Sequence, residues 1–377
     1  MAFAVLYLPL VETFAASRAE VAVVQSTVLL LGGFGGPLVG WAFDRLGPGR
    51  LVQAGAALAA AAFLAASQVD SLPALVLTYG VVGGLGLAAF GSQANMAVAA
   101  LWYPHARGRA IALADLGTGF GAFCFIPLGQ WLVQAVGWRG TLGVWAALLL
   151  LVVVPLNAFQ RLPPATDGGR PPAPADGPAG AWTLAGALRS GPFWWLAGCR
   201  FFAACAFPLM NTHMVAYAVG QGVAPAAAAT ALGSVSLVSL AGRLTVGWLS
   251  DRLGRAPALT AAYASAAAGI GALSLLAPTG WPGWLALYVV LYGMAQGSSG
   301  IVTAARAADV FAGPGFGAIY GWLAVAAGPG EALGAWAGGR IFDATGSYLG
   351  AFAFAVAALA AALAAIWRVQ PRPRRSG

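Results

Sequence analysis

Charged residues are scarce in this chain, and lysine does not occur at all. Of its 377 residues, 60% are hydrophobic and 8% are charged, and the 19 basic residues are all arginine. A soluble domain has about 45–50% apolar and about 25% charged residues, so this composition excludes an ordinary soluble protein. The three cysteines, Cys124, Cys199 and Cys205, lie in apolar runs without metal-ligand spacing, which indicates packing rather than metal or redox chemistry.

Nucleotide-binding and catalytic motifs are also missing. The glycine clusters at 32–40, 83–91 and 117–121 lie in apolar segments, and no Gly-Lys-Ser/Thr sequence follows them, which argues against an ATP-driven pump. These clusters are expected to permit close crossings of helices. No apolar segment contains a metal cluster, a nucleophile elbow or paired catalytic carboxylates, so neither an enzyme activity nor a cofactor is expected.

Long apolar segments run from one end of the chain to the other. They lack the alternation of a transmembrane β-barrel and predict membrane-spanning helices of about 20 residues each. Twelve helices are predicted: 2–15, 19–43, 49–67, 72–101, 108–134, 140–160, 192–219, 226–249, 257–278, 283–305, 316–339 and 348–368. The first would reach only about 22 Å, against about 30 Å of hydrocarbon, so helix 1 is expected to be incomplete.

The distribution of arginine predicts the orientation. Fourteen arginines fall in one set of loops and in the tail, whereas the opposite set of loops has only Arg18, Arg139 and Arg340. The positive-inside rule places the arginine-rich side in the cytoplasm. The net charge of +8 is therefore a topology signal of a multi-pass protein of the cytoplasmic membrane, and not a sign of nucleic-acid binding.

Segment 161–190 interrupts the series of spans. Its proline and glycine cannot continue a helix, and it has little apolar surface to bury, which predicts a flexible cytoplasmic linker. It separates an N-terminal half of six helices, 1–160, from a C-terminal half of six helices, 191–368. A basic cytoplasmic tail follows at 369–377.

The two halves share the motif G-W-x-x-D-R-L-G, at 40–47 and again at 247–254. A single copy is compatible with a tight turn whose Asp and Arg stay solvated. Both copies, however, lie at the cytoplasmic end of the second helix of their half. This match predicts two halves related by an axis along the membrane normal.

On these motifs the chain resembles the major facilitator superfamily, an all-α membrane fold of twelve helices in two pseudo-symmetric halves. Further motifs resemble the branch that contains monocarboxylate transporters and oxalate/formate antiporters. They are P-L-x-E-x-F at 9–14, S-R-A at 17–19, G-P-L-V-G at 36–40, W-Y-x-x-x-R-G-x-A at 102–110, Phe193-Trp194, His213 with Tyr217, and D-x-T-G-S-Y at 343–348.

The resemblance implies a rocker-switch carrier in which helices 1, 4, 7 and 10 line a central cavity. Helices 2, 5, 8 and 11 would form the surfaces that slide, and the two D-R-L-G loops would latch the inner gate; the alternative is that their arginines only enforce topology. The implied gating residues are Gly40, Asp44, Arg45, Gly247, Asp251 and Arg252. Candidate substrate-binding residues on the cavity helices are Tyr79, Gln93, Asn95, Asn211, His213, Tyr217, Tyr288, Tyr292 and Gln296.

Among the ionisable residues of the predicted spans, four stand out as functional candidates: Asp115, Arg200, Arg243 and Glu331. An ionisable residue at the bilayer centre costs about 2.5–3.5 kcal/mol. Arg243 lies eight residues before Asp251, about 12 Å from the cytoplasmic boundary. In the resembled branch, an arginine in the helix 8 pattern R-x-x-x-G-x-x-x-D is associated with the substrate carboxylate. The planar guanidinium suits a carboxylate because it donates two parallel hydrogen bonds. A structural ion pair or snorkelling of Arg243 is the alternative.

Asp115 is about equally deep on helix 5, which faces helix 8 in the resembled fold. We expect that it meets Arg243 in one state, so that proton binding and anion binding compete, or else that it forms a purely structural ion pair. Glu331, about 21 Å along helix 11, is a second candidate for proton coupling. Arg200, about 12 Å into helix 7, is expected to line the cavity or to pair with a carboxylate.

Two departures from the branch bear on the substrate. Ser239 stands where monocarboxylate carriers often have Asp, and Gly328 lies near the place of the helix 11 Lys of oxalate carriers. A site with one cation favours a monoanion. The predicted function is therefore transport of a small organic anion, a monocarboxylate, with a proton, by alternating access of a monomer in the lipid bilayer. The alternatives are an efflux carrier for a drug-like amphiphile and a non-transporting membrane sensor.

Overall fold

The computed structural model describes residues 3–91, 95, 98–99, 102–103, 107–160, 182–311, 313 and 315–369. At 36, 37, 40, 44, 107–112 and 278 it describes the backbone alone. Helices account for nearly all of the described residues, and no strand occurs among them. Eight of the described helices are long and apolar enough to cross a membrane.

Six spans form the N-terminal half. They are α1 (Phe3–Phe14), α2 (Arg18–Phe34 and Gly36–Leu46), α3 (Pro48–Ala66), α4 (Leu72–Phe90), α5 (107–136) and α6 (138–157). The helical stretch from α5 to α6 is continuous except at Gly137, whose φ of 70° and ψ of 175° are not helical. Only glycine adopts such a φ without strain, so the two spans are divided at that residue.

Six further spans form the C-terminal half. They are α7 (Gly191–Gly220), α8 (Pro225–Leu253), α9 (Arg255–Ser274), α10 (Gly283–Ala295 and Ser298–Phe311), α11 (Phe316–Val325 and Ala327–Thr345) and α12 (Leu349–Arg368). We call the end of the bundle where α2 begins and α11 ends the arginine-poor end. The opposite end, where both G-W-x-x-D-R-L-G segments lie, is the arginine-rich end.

The predicted twelve-helix architecture is confirmed, but three predicted spans are interrupted. The helix predicted over 19–43 breaks at Gly35, and the one predicted over 316–339 breaks at Ala326 and continues to Thr345. A proline follows each of these breaks within three residues, and proline lacks the N–H that a helix interior requires. The helix predicted over 283–305 breaks at Gln296 and Gly297 and continues to Phe311. The last third of the helix predicted over 72–101 lies largely outside the described residues.

Part of the predicted flexible linker is ordered. Residues 161–181 lie outside the described residues, but Leu184–Leu188 form a short helix. The Thr183 hydroxyl accepts a hydrogen bond from the Gly186 amide at 3.1 Å and so caps this helix. The Trp182 ring lies 5.1 Å from the Phe311 ring, edge to face. The cap orders this short helix and the ring contact joins Trp182 to the C-terminal half, while the flexibility of the linker stays a prediction.

The last glycine of each repeated motif explains how the chain passes from one span to the next. Gly47 and Gly254 have φ values of 76° and 94°. This positive φ, which glycine adopts without strain, ends α2 and α8, and the next helix begins at the following residue, Pro48 or Arg255. The repeat in sequence is thus a repeat in backbone geometry.

The two halves touch where α2 packs on α11 and α5 packs on α8. Glycines bring the backbones together: Gly33 of α2 lies directly against Gly328 of α11, and a side chain at either position would meet the other backbone. Gly119 of α5 lies against the Leu240 side chain and the Ser236 carbonyl oxygen of α8. The expectation that the glycine clusters permit close crossings is confirmed at Gly33 and Gly119.

Within the C-terminal half, Gly334 of α11 is a sharp test of this packing. A Cβ atom there would overlap the carbonyl oxygen of Cys205 in α7, whereas a Cβ at Gly321 of the same span would meet nothing within 4 Å. We expect Gly334→Ala to lower the thermal unfolding midpoint in detergent, because overpacking costs about 1–3 kcal/mol. Gly321→Ala is the matched control and should leave the midpoint unchanged or raise it. Equal midpoints for the two variants would contradict the contact.

Candidate functional site

An open cavity of about 400 Å³ lies between the halves, lined by α5, α8 and Gln296 at the break of α10. The residues that line it are Thr118, Gly119, Gly121, Ala122, Phe125, Ile126, Ser236, Ser239, Arg243 and Gln296. The volume is within the range of small-molecule sites. Its wall from α5 belongs to one half and its walls from α8 and α10 to the other, so a molecule bound here contacts both halves.

An ion pair joins the halves beside this cavity. The guanidinium Nη1 of Arg243 in α8 contacts Oδ2 of Asp115 in α5, and the two side chains are 25% and 28% exposed. The Thr118 hydroxyl donates to the Asp115 backbone carbonyl at 2.7 Å and lies 3.2 Å from the other carboxylate oxygen, Oδ1. Each charge neutralises the other in a partly buried place, where an unpaired charge would be costly. The structure thus brings together the two residues that the sequence expects to meet.

The break in α10 provides the space for Arg243. Gly297 has a φ of 87°, and a Cβ atom at this residue would lie 2.5 Å from Nε of Arg243. Gln296, the residue before it, is 7% exposed and lines the cavity. Its side-chain oxygen and Nε of Arg243 are buried and have no hydrogen-bond partner among the described residues. The described residues thus leave one buried donor and one buried acceptor unsatisfied at the edge of the cavity.

The cavity has a polar side and an apolar side. Arg243, Gln296 and the serines of α8 form the polar side; the Ser239 hydroxyl is occupied, since it donates to the Ser236 carbonyl at 2.7 Å. The rings and methyl groups of α5 form the apolar side. Such a site suits a small molecule with an anionic group at one end and an apolar tail at the other.

The other two ionisable candidates, Arg200 and Glu331, lie away from this cavity. Arg200 of α7 donates to the Thr303 hydroxyl at 3.3 Å, and its guanidinium lies 5.9 Å from the centre of the Tyr320 ring. Glu331 lies in the second part of α11, within the C-terminal half. Neither residue lines the cavity, and their predicted roles remain predictions.

The predicted tyrosines pack inside the halves. Tyr79 stacks on Phe63 with ring centres 5.2 Å apart, and Tyr288 stacks on Tyr292 at 4.9 Å. The hydroxyl of Tyr292 donates to the Phe207 carbonyl at 3.1 Å. Burial of these rings contributes packing, and none of them lines the cavity.

Tyr217 and His213 of α7 also lie outside the cavity. The Tyr217 hydroxyl donates to the Leu273 carbonyl at 3.3 Å, within the C-terminal half. His213 is fully buried, and its Nε2 lies 2.7 Å from the Ala335 carbonyl oxygen of α11. The hydrogen bonds of both side chains are directed toward protein groups rather than toward the cavity.

The predicted amides are dispersed. The Asn95 side chain accepts a hydrogen bond from Gln160 at 3.0 Å, inside the N-terminal half. Asn211 of α7 is half-buried, and its side-chain oxygen has no hydrogen-bond partner among the described residues. Gln93 lies outside the described residues. Of the predicted uncharged polar residues that are described, Gln296 is the one that lines the cavity.

The repeated motifs place their arginines alike. The guanidinium of Arg45 lies 4.6 Å from the centre of the Trp41 ring, and that of Arg252 lies 4.2 Å from the Trp248 ring. Each is a cation–π contact one helical turn apart. A side chain at Gly247 would meet no atom within 4 Å, and the Asp44 side chain and the surroundings of Gly40 are not described.

The acidic residue of the second motif is paired within its own half. Asp251 accepts a hydrogen bond from Arg255 Nη1 at 2.5 Å, and Arg255 Nε donates to Asp309 at 3.1 Å. These ion pairs link α8, α9 and α10 at the arginine-rich end. They do not cross between the halves, and the predicted gating role remains a prediction.

Sequence reasoning missed part of the cavity and one contact between the halves. Gly297 and the apolar wall of α5 carry no charge, so nothing distinguishes them among the many glycines and aromatics of the chain. Arg18 counted only as a loop arginine, although the motifs at 17–19 and 343–348 were already visible. Among the described residues, no group of three or more His, Cys, Asp or Glu residues could hold a metal ion.

Comparison with known proteins settles the family. The model of the Major Facilitator Superfamily matches residues 1–306. The chain belongs to this superfamily. Monocarboxylate transporter 13 of Bos taurus is 31% identical to this chain over 372 residues. The match covers 95% of the chain and 82% of the relative. Monocarboxylate transporter 3 of Rattus norvegicus is 28% identical over 351 residues, 92% of the chain and 71% of the relative.

A solved structure supports the fold. The crystal structure of a D-xylose-proton symporter matches this chain with a TM-score of 0.74 at 17% identity. The match covers 98% of this chain and 93% of the symporter chain. At that identity the likeness shows the fold alone. The relatives are transporters, not enzymes, and the predicted resemblance to monocarboxylate transporters is confirmed.

The ion pair between Arg243 and Asp115 can be tested without any substrate. We expect Asp115→Asn and Arg243→Gln each to lower the thermal unfolding midpoint in detergent, because each leaves the partner charge unpaired. The double variant should lose less stability than the sum of the losses of the two single variants, with a coupling free energy of about 0.5–3 kcal/mol. Strictly additive losses would show that the two side chains do not interact.

Proposed function

We propose that this major facilitator chain carries a small monocarboxylate together with a proton, by alternating access. The observation that carries the proposal is the ion pair of Arg243 and Asp115, which lies beside the cavity and joins one half to the other. Arg243 binds the carboxylate of the substrate and Asp115 binds the proton. The names of the monocarboxylate transporters among its relatives support the substrate class.

Charge balance explains how the proton and the anion are coupled. In the empty carrier, Asp115 neutralises Arg243. A proton on Asp115 releases the guanidinium, and the substrate carboxylate takes the place of Asp115. The competition is thus between Asp115 and the anion for one cation, so that a bound proton favours the bound anion and the reverse.

The same charge balance determines in which ligand states the two halves can rearrange. The empty site and the site with both ligands each have a net charge of zero at this pair, whereas a site with only one ligand is charged. A net charge in an apolar environment is costly. The halves therefore rearrange when the site is empty or fully loaded, which is the requirement for coupled transport.

The polar and apolar sides of the cavity fit a monoanion with a short apolar tail. Arg243 and Gln296 face the carboxylate, and Phe125 and Ile126 contact the tail. No second cation lines the cavity among the described residues, and Gly328 of α11 lies against α2 instead. A dicarboxylate would leave one charge without a partner.

The gate and the orientation complete the proposal. The two D-R-L-G segments latch the cytoplasmic gate, and the stacking of Arg45 on Trp41 and of Arg252 on Trp248 orients both arginines for this purpose. The arginine-rich end faces the cytoplasm, as the positive-inside rule predicts, and the linker and C-terminus lie on that side. The carrier works as a monomer in the cytoplasmic membrane.

Uptake into proteoliposomes tests the substrate class. A panel of labelled monocarboxylates, with and without a pH gradient, should include at least one that is taken up. Arg243→Ala should abolish uptake, and Arg243→Lys should lower it at least about tenfold, because lysine keeps the charge but not the planar pair of donors.

Arg139→Ala is the control for the loss of an arginine, since Arg139 pairs with Asp70 away from the cavity, and its uptake should be near that of the parent. An absence of transport and of competition across the panel would overturn the substrate class. Export of an amphiphilic dye in its place would support the efflux alternative. Full uptake by Arg243→Ala would move the anion site elsewhere.

Asp115→Asn tests the coupling. The asparagine amide does not take up a proton at the pH values of a transport assay, and it leaves Arg243 without its carboxylate partner. We expect the variant to lose stimulation of uptake by a pH gradient but to retain exchange of labelled for unlabelled substrate. Unchanged proton-driven uptake would remove Asp115 from this role and leave Glu331 as the candidate to test.

A further inference from the structure

A carboxylate of one half caps a helix of the other half at the arginine-poor end. Oδ1 of Asp343 in α11 accepts a hydrogen bond from the Arg18 amide at 3.0 Å, and Oδ2 accepts one from the Ala19 amide at 2.7 Å. The third amide of α2, that of Glu20, donates to the Ser17 hydroxyl at 3.2 Å. Two of the first three amides of α2 thus depend on a residue of the opposite half.

Asp343 is poorly placed for its own helix. It lies in the last turn of α11, where the carbonyl groups carry the negative end of the helix dipole. At the start of α2 the same carboxylate meets the positive end of a helix dipole. Its favourable environment therefore exists only while the halves are in contact.

The Arg18 side chain adds a second set of contacts across the halves. Its guanidinium lies 3.6 Å from the centre of the Phe342 ring and 5.0 Å from the centre of the Tyr348 ring. Its Nη1 donates to the Tyr348 hydroxyl at 2.5 Å. Stacking on two rings and a charged hydrogen bond hold the cation of the N-terminal half against the C-terminal half.

A chain of hydrogen bonds continues from Arg18 into the bundle. The Tyr348 hydroxyl lies 3.3 Å from His213 Nδ1, and His213 Nε2 lies 2.7 Å from the Ala335 carbonyl oxygen. A carbonyl only accepts, so Nε2 carries the hydrogen of the neutral ring and Nδ1 accepts from Tyr348. On the other side, the Tyr7 hydroxyl donates to the Arg18 carbonyl at 2.7 Å. Arg18 is therefore fixed from both halves.

Gly339 allows this approach. A Cβ atom at Gly339 of α11 would lie 2.7 Å from the carbonyl carbon and oxygen of Arg18. The backbone of α2 begins directly over this glycine, so its lack of a side chain brings Asp343, one turn further along α11, within reach of the α2 amides.

We propose that Asp343 and Arg18 form a latch between the halves that holds the arginine-poor end closed. It lies at the end of the bundle opposite to the D-R-L-G segments. Opening this end separates α2 from α11, so it breaks the helix cap, the ring stacking and the hydrogen bond to Tyr348 together. The latch stabilises the state that is closed at this end over the state that is open there.

Thiol labelling tests the latch without a substrate. Ser26 is half-buried and donates to the Ala332 carbonyl across α2 and α11 at 2.8 Å, so a cysteine at position 26 is less accessible while this end is closed than when α2 and α11 separate. In a full-length protein with Cys124, Cys199 and Cys205 changed to alanine and with Ser26→Cys, we expect Asp343→Asn to raise the rate of labelling by a polar maleimide in nanodiscs at least about threefold. Arg18→Ala should act in the same direction.

Asp70→Asn is the matched control. Asp70 accepts a hydrogen bond from Arg139 at 2.8 Å at the same end, but both residues belong to the N-terminal half. The rate of labelling at position 26 in the Asp70→Asn variant should therefore stay at the parent value. Labelling after denaturation gives the total thiol for each variant. If Asp343→Asn does not fold, Arg18→Ala and Tyr348→Phe decide the question. Labelling of the folded latch variants at the rate of Asp70→Asn would overturn the proposal.

Discussion

The cost of an unpaired charge in an apolar environment governs the centre of this carrier. Arg243 and Asp115 come from different halves, and each satisfies the other. The remaining features follow from where this pair lies. The contact of α5 with α8 brings the two residues into reach, and the break of α10 at Gly297 vacates the volume that the guanidinium occupies. A single electrostatic requirement thus connects the meeting of the halves, the shape of the cavity and an irregularity in a neighbouring helix.

Ion pairs within a half and ion pairs between the halves have different consequences. The network of Arg255 with Asp251 and Asp309 links three spans of one half, and it persists when that half moves as a unit. The ion pair of Arg243 with Asp115 and the hydrogen bonds from the Arg18 and Ala19 amides to Asp343 join the two halves, so a movement of one half against the other must disturb them. Conformational change in such a bundle is therefore controlled by few residues, and most of the polar contacts serve to keep each half rigid.

The features that could be predicted from the sequence are those marked by rare residues or by a repeat. Charges are so rare in the spans that Arg243 and Asp115 could be singled out and placed at equal depth, and the repeated motif fixed the correspondence of the halves. Polarity alone did not predict which face of a helix is turned to the cavity. Tyr79, Tyr288 and Tyr292 lie on predicted cavity helices but pack inside their halves, because a helix that is apolar all round gives no periodic signal of orientation. Gly297 was beyond reach for a related reason, since the arginine that lies against it comes from another helix and no local motif marks the position.

The contact of Gly33 with Gly328 has a mechanical consequence. Two backbones meet there without side chains between them, so α2 and α11 can rotate against one another at this point with no rotamer forced out of a groove. Arg18 lies fifteen residues from this pivot, about 22 Å along the helix. A rotation of about 10° moves Arg18 by about 4 Å, which exceeds the length of any hydrogen bond at that end. Because α2 and α11 cross at two glycines, a small rotation at this crossing is enough to break all the contacts of Arg18 at the arginine-poor end.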